Sequence, residues 1–223
     1  NIDDVKQQAI NAFHNFAGDR ERLESIQLLQ GGQSGVAVFL INYLDNYLPK
    51  KTVARVLRLS DAAIREFLCA KYAADIGVSP AILWPDRLDS DRQVVLSEYI
   101  SGPNLSATDL ITYQDTLLTL LKRIHTQLAK NGLTQAATLF DRILRLADLD
   151  KMSWFKRHFQ SQVETLQQKM VNVNMSPLVV THNDFNPGNF KFKYKQSDEI
   201  MVFDWGNAGL GDPIADLADF SSL

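Results

Sequence analysis

Apolar positions change their period several times along this chain, and each change marks an element. Val5, Ala9, Ala12, Phe13 and Phe16 recur near helical spacing and predict a first helix over residues 2–16. Ile26-Gln27-Leu28-Leu29-Gln30 and residues 36–42 read as two strands. Gly31-Gly32-Gln33-Ser34-Gly35 lies between them as a glycine turn. Residues 52–59, Thr-Val-Ala-Arg-Val-Leu-Arg-Leu, are β-branched and apolar enough for a third strand. A helix is predicted over 61–76, with Asp61 as its cap and Gly77 as its stop. Val94-Val95-Leu96-Ser97-Glu98-Tyr99-Ile100 is another strand, ended by Ser101-Gly102-Pro103. The pattern then turns helical over 108–130, with Leu117, Leu121, Ile124 and Leu128 on one stripe, and mostly helical over 138–170. After Pro177 it returns to strand at Leu178-Val179-Val180. Two short strands follow near 189–194 and 200–204, with a polar connection between them. A β-rich first half and an α-rich second half predict two lobes joined near residues 99–103.

Composition narrows the class. The 223 residues suit one large domain or two small lobes, and 45% apolar with 22% charged residues is ordinary for a globular protein. A net charge of −3 gives no reason to expect nucleic acid, whose phosphates reward a strongly basic surface. Cys69 is the single cysteine, and His14, His125, His158 and His182 show no zinc spacing. No apolar run approaches the roughly 20 residues that span a bilayer, and the N-terminus lacks a signal-peptide layout. No membrane partner is expected, and the cytoplasm is the expected location. The oligomeric state leaves no signature.

The segment that carries chemistry is His182-Asn183-Asp184-Phe185-Asn186-Pro187-Gly188-Asn189. It follows an apolar strand and contains Pro and Gly, so it is a shaped loop at a strand end, where function concentrates. Phosphoryl transfer needs a carboxylate to orient a hydroxyl and metal ligands to hold Mg²⁺ on phosphates. Asp184 suits the first role. Asn189, five residues on, offers a neutral oxygen, and D-x-x-x-x-N is the spacing of a kinase catalytic loop. Met201-Val202-Phe203-Asp204-Trp205-Gly206 then puts an Asp-aromatic-Gly after a strand, and Asp204 with Asn189 fits the modest ligand set of Mg²⁺. Each piece has a plain alternative, since Asn186-Pro187-Gly188 is turn chemistry by itself. The ordered set of strand, loop, hairpin, strand and Asp-aromatic-Gly is what makes the reading specific.

These motifs, together with Phe203-Asp204-Trp205-Gly206-Asn207-Ala208-Gly209, Gly211-Asp212-Pro213 and Asp216-Leu217-Ala218, resemble the aminoglycoside phosphotransferase and choline kinase superfamily. Its bacterial choline, ethanolamine and thiamine kinase-like members look closest. The resemblance covers nearly the whole chain. It implies an α+β, protein-kinase-like bilobal fold, with a small antiparallel β lobe at residues 1–100 for the nucleotide and a larger, mainly α catalytic lobe at 101–223. It implies ATP, Mg²⁺ and a small-molecule alcohol acceptor. Asp184 resembles the catalytic base, and Asn189 and Asp204 the metal ligands. His182 is expected to brace the loop. Asp212 and Asp216 match the downstream pattern and read as structural, capping the next helix, with Asp212 also able to face a cationic substrate.

Gly31, Gly32, Gln33 and Ser34 resemble the loop that covers ATP phosphates, although the same residues describe a hairpin turn. Val56-Leu57-Arg58-Leu59 resembles the Val-Leu-Arg form of choline-kinase-like proteins. Strand alternation puts Arg55 and Arg58 on opposite faces, and Arg58 is the one expected on the phosphates, steadied by Glu66. Both could instead be solvated strand charges, and Glu66 an ordinary helix glutamate. Ser97-Glu98-Tyr99-Ile100 resembles the hinge, whose backbone at Glu98 and Ile100 would bond the adenine edge. His125 reads as helix packing.

The expected acceptor is choline or a related amino alcohol. An aminoglycoside or a sugar-like metabolite is the alternative, and a catalytically silent nucleotide-binding scaffold the reading from another class. Trp154, Phe155 and Phe159, with Trp205, are candidates for a cation cage and equally for ordinary core. The chain stops at Leu223, and the terminal helices that the resemblance implies for the acceptor site are expected to be missing from it.

Overall fold

A computed structural model of the protein describes residues 2–18, 21–29, 36–87, 91–136, 161–162, 164–165, 168–169 and 177–221. The chain opens with helix α1 (Ile2–Ala17). Strands β1 (Glu21–Leu28), β2 (Ala37–Asp45) and β3 (Leu48–Arg58) follow, then helix α2 (Asp61–Asp75) and strands β4 (Ile82–Arg87) and β5 (Arg92–Glu98). The five strands form one antiparallel sheet in the order β1-β2-β3-β5-β4. Helices α3 (Ala107–Thr112) and α4 (Gln114–Gln127) come next. The short strands β6 (Val179–Thr181), β7 (Phe190–Phe192), β8 (Ile200–Val202) and β9 (Gly209–Gly211) and helix α5 (Ile214–Ser221) complete the described chain. The α+β composition agrees with expectation.

Alternation along β3 divides the sheet into two faces. Ala54 and Val56 on one face, with Val94 and Leu96 of β5, pack with Ala9, Ala12 and Phe13 of α1 in one cluster. A second, larger cluster joins Cys69 and Ala73 of α2 to Leu117, Leu120, Leu121 and Ile124 of α4. It also takes in Phe185, Phe190, Phe192, Val202 and Trp205 from the segments around β7 and β8. Helix α2 follows β3 in sequence, yet its apolar face belongs to this second cluster.

Several boundaries differ from expectation for local reasons. The cap of α2 is Ser60, whose Oγ accepts from Ala63 N–H at 3.1 Å, so the helix starts one residue after the cap rather than at it. Gly77 ends that helix as expected, at φ +70°. Strand β4 was not expected, because Pro85 interrupts it. At the sheet edge, a residue without an N–H is tolerated. The single helix expected over 108–130 breaks at Tyr113 into α3 and α4, and a capping box between Ser106 and Asp109 starts the first of them. The helical stretch expected over 138–170, with Trp154, Phe155 and Phe159, lies almost wholly outside the described residues.

The linker after β5 runs along β7. Phe192 N–H donates to Pro103 O at 3.0 Å, and Leu105 N–H to Phe190 O at 3.3 Å. A Cβ at Gly102 would lie 1.8 Å from Phe192 O, so only glycine allows this approach. No helix among the described residues is long and apolar enough to cross a membrane.

Candidate active site

The loop after β6 is built around Asp184. Asn183 stands in the left-handed region at φ +59°, which asparagine tolerates, and this turns the chain away from the strand. Asn186 Oδ1 accepts from Gly188 N–H at 3.0 Å and opens a single 3₁₀ turn, Pro187–Asn189, with proline at its first position. That geometry aims two amides back at one carboxylate. Asn186 Nδ2 donates to Asp184 Oδ1 at 2.6 Å, and Asn189 Nδ2 donates to Asp184 Oδ2 at 2.9 Å. Both amides also reach the Asp184 carbonyl, at 3.2 and 2.9 Å. Asp184 is half-buried with each of its oxygens held in place.

The loop is fastened from behind by Asp216, in the first turn of α5. This fully buried carboxylate accepts from His182 N–H at 2.9 Å and from Asn183 N–H at 2.6 Å. His125 of α4 donates its Nε2–H to the same carboxylate at 2.8 Å. Asp216 therefore ties α4, α5 and the loop together, a larger part than the helix cap expected of it. Asp212 does cap α5, its Oδ1 accepting from Ile214 N–H at 3.0 Å. His125, expected as packing, is a hydrogen-bond partner of this knot.

His182 braces as expected. Its ring is fully buried, 4.8 Å from the Trp205 ring, and bonds Phe203 O through Nε2 at 2.8 Å. A carbonyl can only accept, so Nε2 carries the proton and Nδ1 is a bare, buried acceptor with no partner. Burial lowers the affinity of this ring for a second proton, against the opposing pull of Asp216.

Asp204 lies two residues beyond the β7–β8 pairing. Phe203 N–H donates to Asn189 O at 2.9 Å, so Asn189 and Asp204 stand at the same end of that hairpin. Asp204 is exposed, in the left-handed region at φ +59°, and its Oδ1 faces Gly206 N–H at 3.4 Å at the start of the 3₁₀ turn Trp205–Asn207. Because Asn189 spends its amide hydrogens on Asp184, its Oδ1 is the atom left to ligate. No group of three or more His, Cys, Asp or Glu side chains is arranged for a metal among the described residues. One carboxylate and one amide oxygen make a sparse, all-oxygen donor set. It fits Mg²⁺, which keeps its waters and takes phosphate oxygens as further ligands.

The arginine reading needs correction. Glu66 Oε1 pairs with Arg55 Nη2, and not with Arg58. Arg58 is exposed at the end of β3, on the even-numbered face that Ala54 and Val56 turn toward α1. Arg55 is on the other face, the one α2 approaches. Glu66 is only 8% exposed. Burial pushes its carboxyl above the usual carboxylate range, Arg55 opposes this, Asp204 adds to it, and Arg65 opposes it. Gly31, Gly32, Gln33 and Ser34 lie outside the described residues. The strands on either side of them do pair, Leu28 with Phe39. At the expected hinge, Glu98 N–H donates to Ala81 O at 2.9 Å. Ile100 follows, buried.

Three contacts from distant parts of the chain complete the site, two of them made by residues that sequence reasoning passed over, Ser79 and Arg65. Trp205 Nε1–H donates to Ser79 Oγ at 3.2 Å, Asn183 Nδ2 to Asn207 O at 3.1 Å, and Arg65 Nε–H to Ala208 O at 2.8 Å. All three hold the turn that follows Asp204, and all three come from distant parts of the chain, so no local pattern announces them.

The model of the phosphotransferase enzyme family matches residues 25–223. No sequence among the curated proteins matches. Among solved structures, the choline kinase LicA from Streptococcus pneumoniae superposes with a TM-score of 0.70 at 18% identity, over 97% of this chain and 74% of that one. The aminoglycoside phosphotransferase APH(3'')-Id from Streptomyces rimosus gives 0.62 at 18%, over 96% and 81%. A thermostable mutant of aminoglycoside phosphotransferase APH(4)-Ia, in a ternary complex with ADP and hygromycin B, gives 0.63 at 16%, over 95% and 75%.

Proposed function

The chain belongs to the phosphotransferase enzyme family, and from that premise we propose that it transfers the terminal phosphoryl group of ATP to a hydroxyl of a small molecule. The observation that carries this reading is Asp184 held through both oxygens, at 2.6 and 2.9 Å, beside Asn189 and Asp204 at one hairpin end. Residues 1–100 form the nucleotide-binding lobe and residues 101–223 the catalytic lobe, joined at the hinge after β5.

Asp184 accepts a hydrogen bond from the acceptor hydroxyl and orients its oxygen toward the terminal phosphorus. As the new O–P bond forms, the bond from that phosphorus to the leaving diphosphate breaks, and the hydroxyl proton passes to Asp184. Asn186 and Asn189 keep the carboxylate from rotating, which preserves the attack geometry. Asn189 Oδ1 and the Asp204 carboxylate are the atoms that would hold Mg²⁺. When bound, Mg²⁺ supplies positive charge to the phosphate oxygens. Arg55, steadied by Glu66, contacts the donor phosphates from β3. The Glu98 carbonyl and the Ile100 N–H meet the base edge. Gly31, Gly32, Gln33 and Ser34 cover the phosphates.

For the acceptor we favour choline or a related amino alcohol. The resemblance of the residue 182–218 motifs to choline-kinase-like proteins supports this order, and choline kinase and aminoglycoside phosphotransferase neighbours share the fold alike. The hygromycin B held by one of those neighbours keeps an aminoglycoside or sugar-like acceptor as the second reading. Acceptor-dependent ADP release, measured with choline, ethanolamine, hygromycin B and simple sugars, tests the proposal. Turnover of choline and ethanolamine above the rest is the expected result. Preference for hygromycin B would replace the acceptor, and no turnover of any acceptor would remove the enzyme reading.

A further inference from the structure

Arg65 and Glu66 are neighbours on α2 and reach in different directions. Glu66 takes Arg55 of β3, the side proposed for the donor phosphates. Arg65 crosses to the turn after Asp204, where its Nε–H donates to Ala208 O at 2.8 Å. The stem of Arg65 is fitted to that segment. A Cβ at Gly209 would lie 2.9 Å from Arg65 Cδ and 2.9 Å from Ala136 N, so a glycine stands where the arginine and the 136 backbone both pass. Ala208 is fully buried, and its N–H donates to Trp205 O at 3.0 Å. Pulling on the Ala208 carbonyl therefore acts on the turn that starts at Asp204. Asp204 itself is exposed and in the left-handed region, which aspartate adopts at modest cost, and its side chain meets its own turn only through Gly206 N–H at 3.4 Å. Contacts to the turn that follows therefore help to fix where its carboxylate stands.

We propose that Arg65 is a positioning residue for the metal ligand Asp204, acting through the Ala208 carbonyl, and that α2 thereby sets one spacing for both Arg55 and Asp204. The inference rests on the functional reading above, in which Asp204 holds Mg²⁺ against the donor phosphates. It assigns a task to a residue that touches neither metal nor nucleotide. Its mark is a change in how strongly Mg²⁺ strengthens nucleotide binding, with metal-free nucleotide binding unmoved.

The test is titration calorimetry of ADP into the full chain, with Mg²⁺ and with EDTA, so that no acceptor is needed. Arg65→Met keeps the stem against Gly209 and removes the donor. It should cut the Mg²⁺-dependent gain in ADP affinity by about tenfold, as loss of an outer-shell partner does, and leave the EDTA value within twofold. Arg65→Lys restores a donor and should recover most of the gain. If Arg65→Met unfolds, Arg65→Gln, which shortens the reach to Ala208 O while keeping a polar end, tests the same contact and should lower the same ratio. An unchanged ratio in the folded variants overturns the proposal, and so does an equal loss with Mg²⁺ and with EDTA. Wild-type protein whose ADP binding ignores Mg²⁺ overturns the reading on which the proposal stands.

Discussion

The loop carrying Asp184 and the turn carrying Asp204 meet at one end of the β7–β8 hairpin, and they are held by opposite strategies. Asp184 is secured by its own neighbours, Asn186 and Asn189, two and five residues on. Among the described residues, the side chain of Asp204 meets its neighbours only through a 3.4 Å contact to Gly206 N–H. Its turn depends on Ser79, Arg65 and Asn183. The proposed base is braced by a local motif, and the proposed metal ligand is held by tertiary structure. Damage to the Asn186 and Asn189 brace should fall on chemistry, while the Asp204 turn, like the Asp216 support behind the loop, is open to damage from distant positions.

Replacement of Asp184 by Asn is the severest break expected on the local side. Turnover should fall by about a thousandfold or more, with Mg²⁺-dependent ADP affinity within threefold of wild type. Unchanged turnover would remove Asp184 from the mechanism. On the donor side, Arg55→Met should lower kcat/KM for ATP by about a hundredfold, whereas Arg58→Met should stay within twofold. Reversal of that order would restore Arg58 to the phosphates.

Asp216→Ala attacks the support behind the loop. It strands the backbone N–H groups of His182 and Asn183, and thermal unfolding should show a loss of about 2–5 kcal/mol. A loss below 1 kcal/mol would mean that the loop holds itself, and the contrast between the two strategies would then sharpen.

The smallest effect concerns His182. Its folded form resists protonation, so the unfolded chain binds the extra proton first. Stability should therefore decline as pH falls below the ordinary histidine value of about 6.5, by at most about 1.4 kcal/mol per pH unit from this residue. Above that pH both states are neutral and the residue adds no slope. Chemical denaturation between pH 7.5 and 5 should show a shallower decline in His182→Gln than in wild type, and equal slopes would count against the buried neutral ring.

The same contrast explains what could be read from sequence. Asp184, Asn186 and Asn189 lie within one turn-forming segment, so their spacing is legible. The partnership of Asp216 with His125 spans 91 residues, and that of Arg65 with Ala208 spans 143, so neither leaves a periodic trace. Arg55 and Arg58 illustrate the limit well. Alternation separates their faces, but only the packing of α1 against Ala54 and Val56 shows which face is left for Glu66. Strand β4 was hidden because Pro85 argues against a strand unless the strand is known to lie at an edge.

The glycine at position 102 has a mechanical consequence. From Gly102 onward the linker is laced to β7, with Phe192 O where any side chain would have to stand. Tilting of the sheet relative to the hairpin must then be absorbed before that point, by the few bonds of Tyr99, Ile100 and Ser101. A residue larger than glycine at 102 would lift the linker from its rail and lengthen this pivot. The reach of the Glu98 carbonyl over the base edge would then depend on slack in the chain rather than on the register of β5.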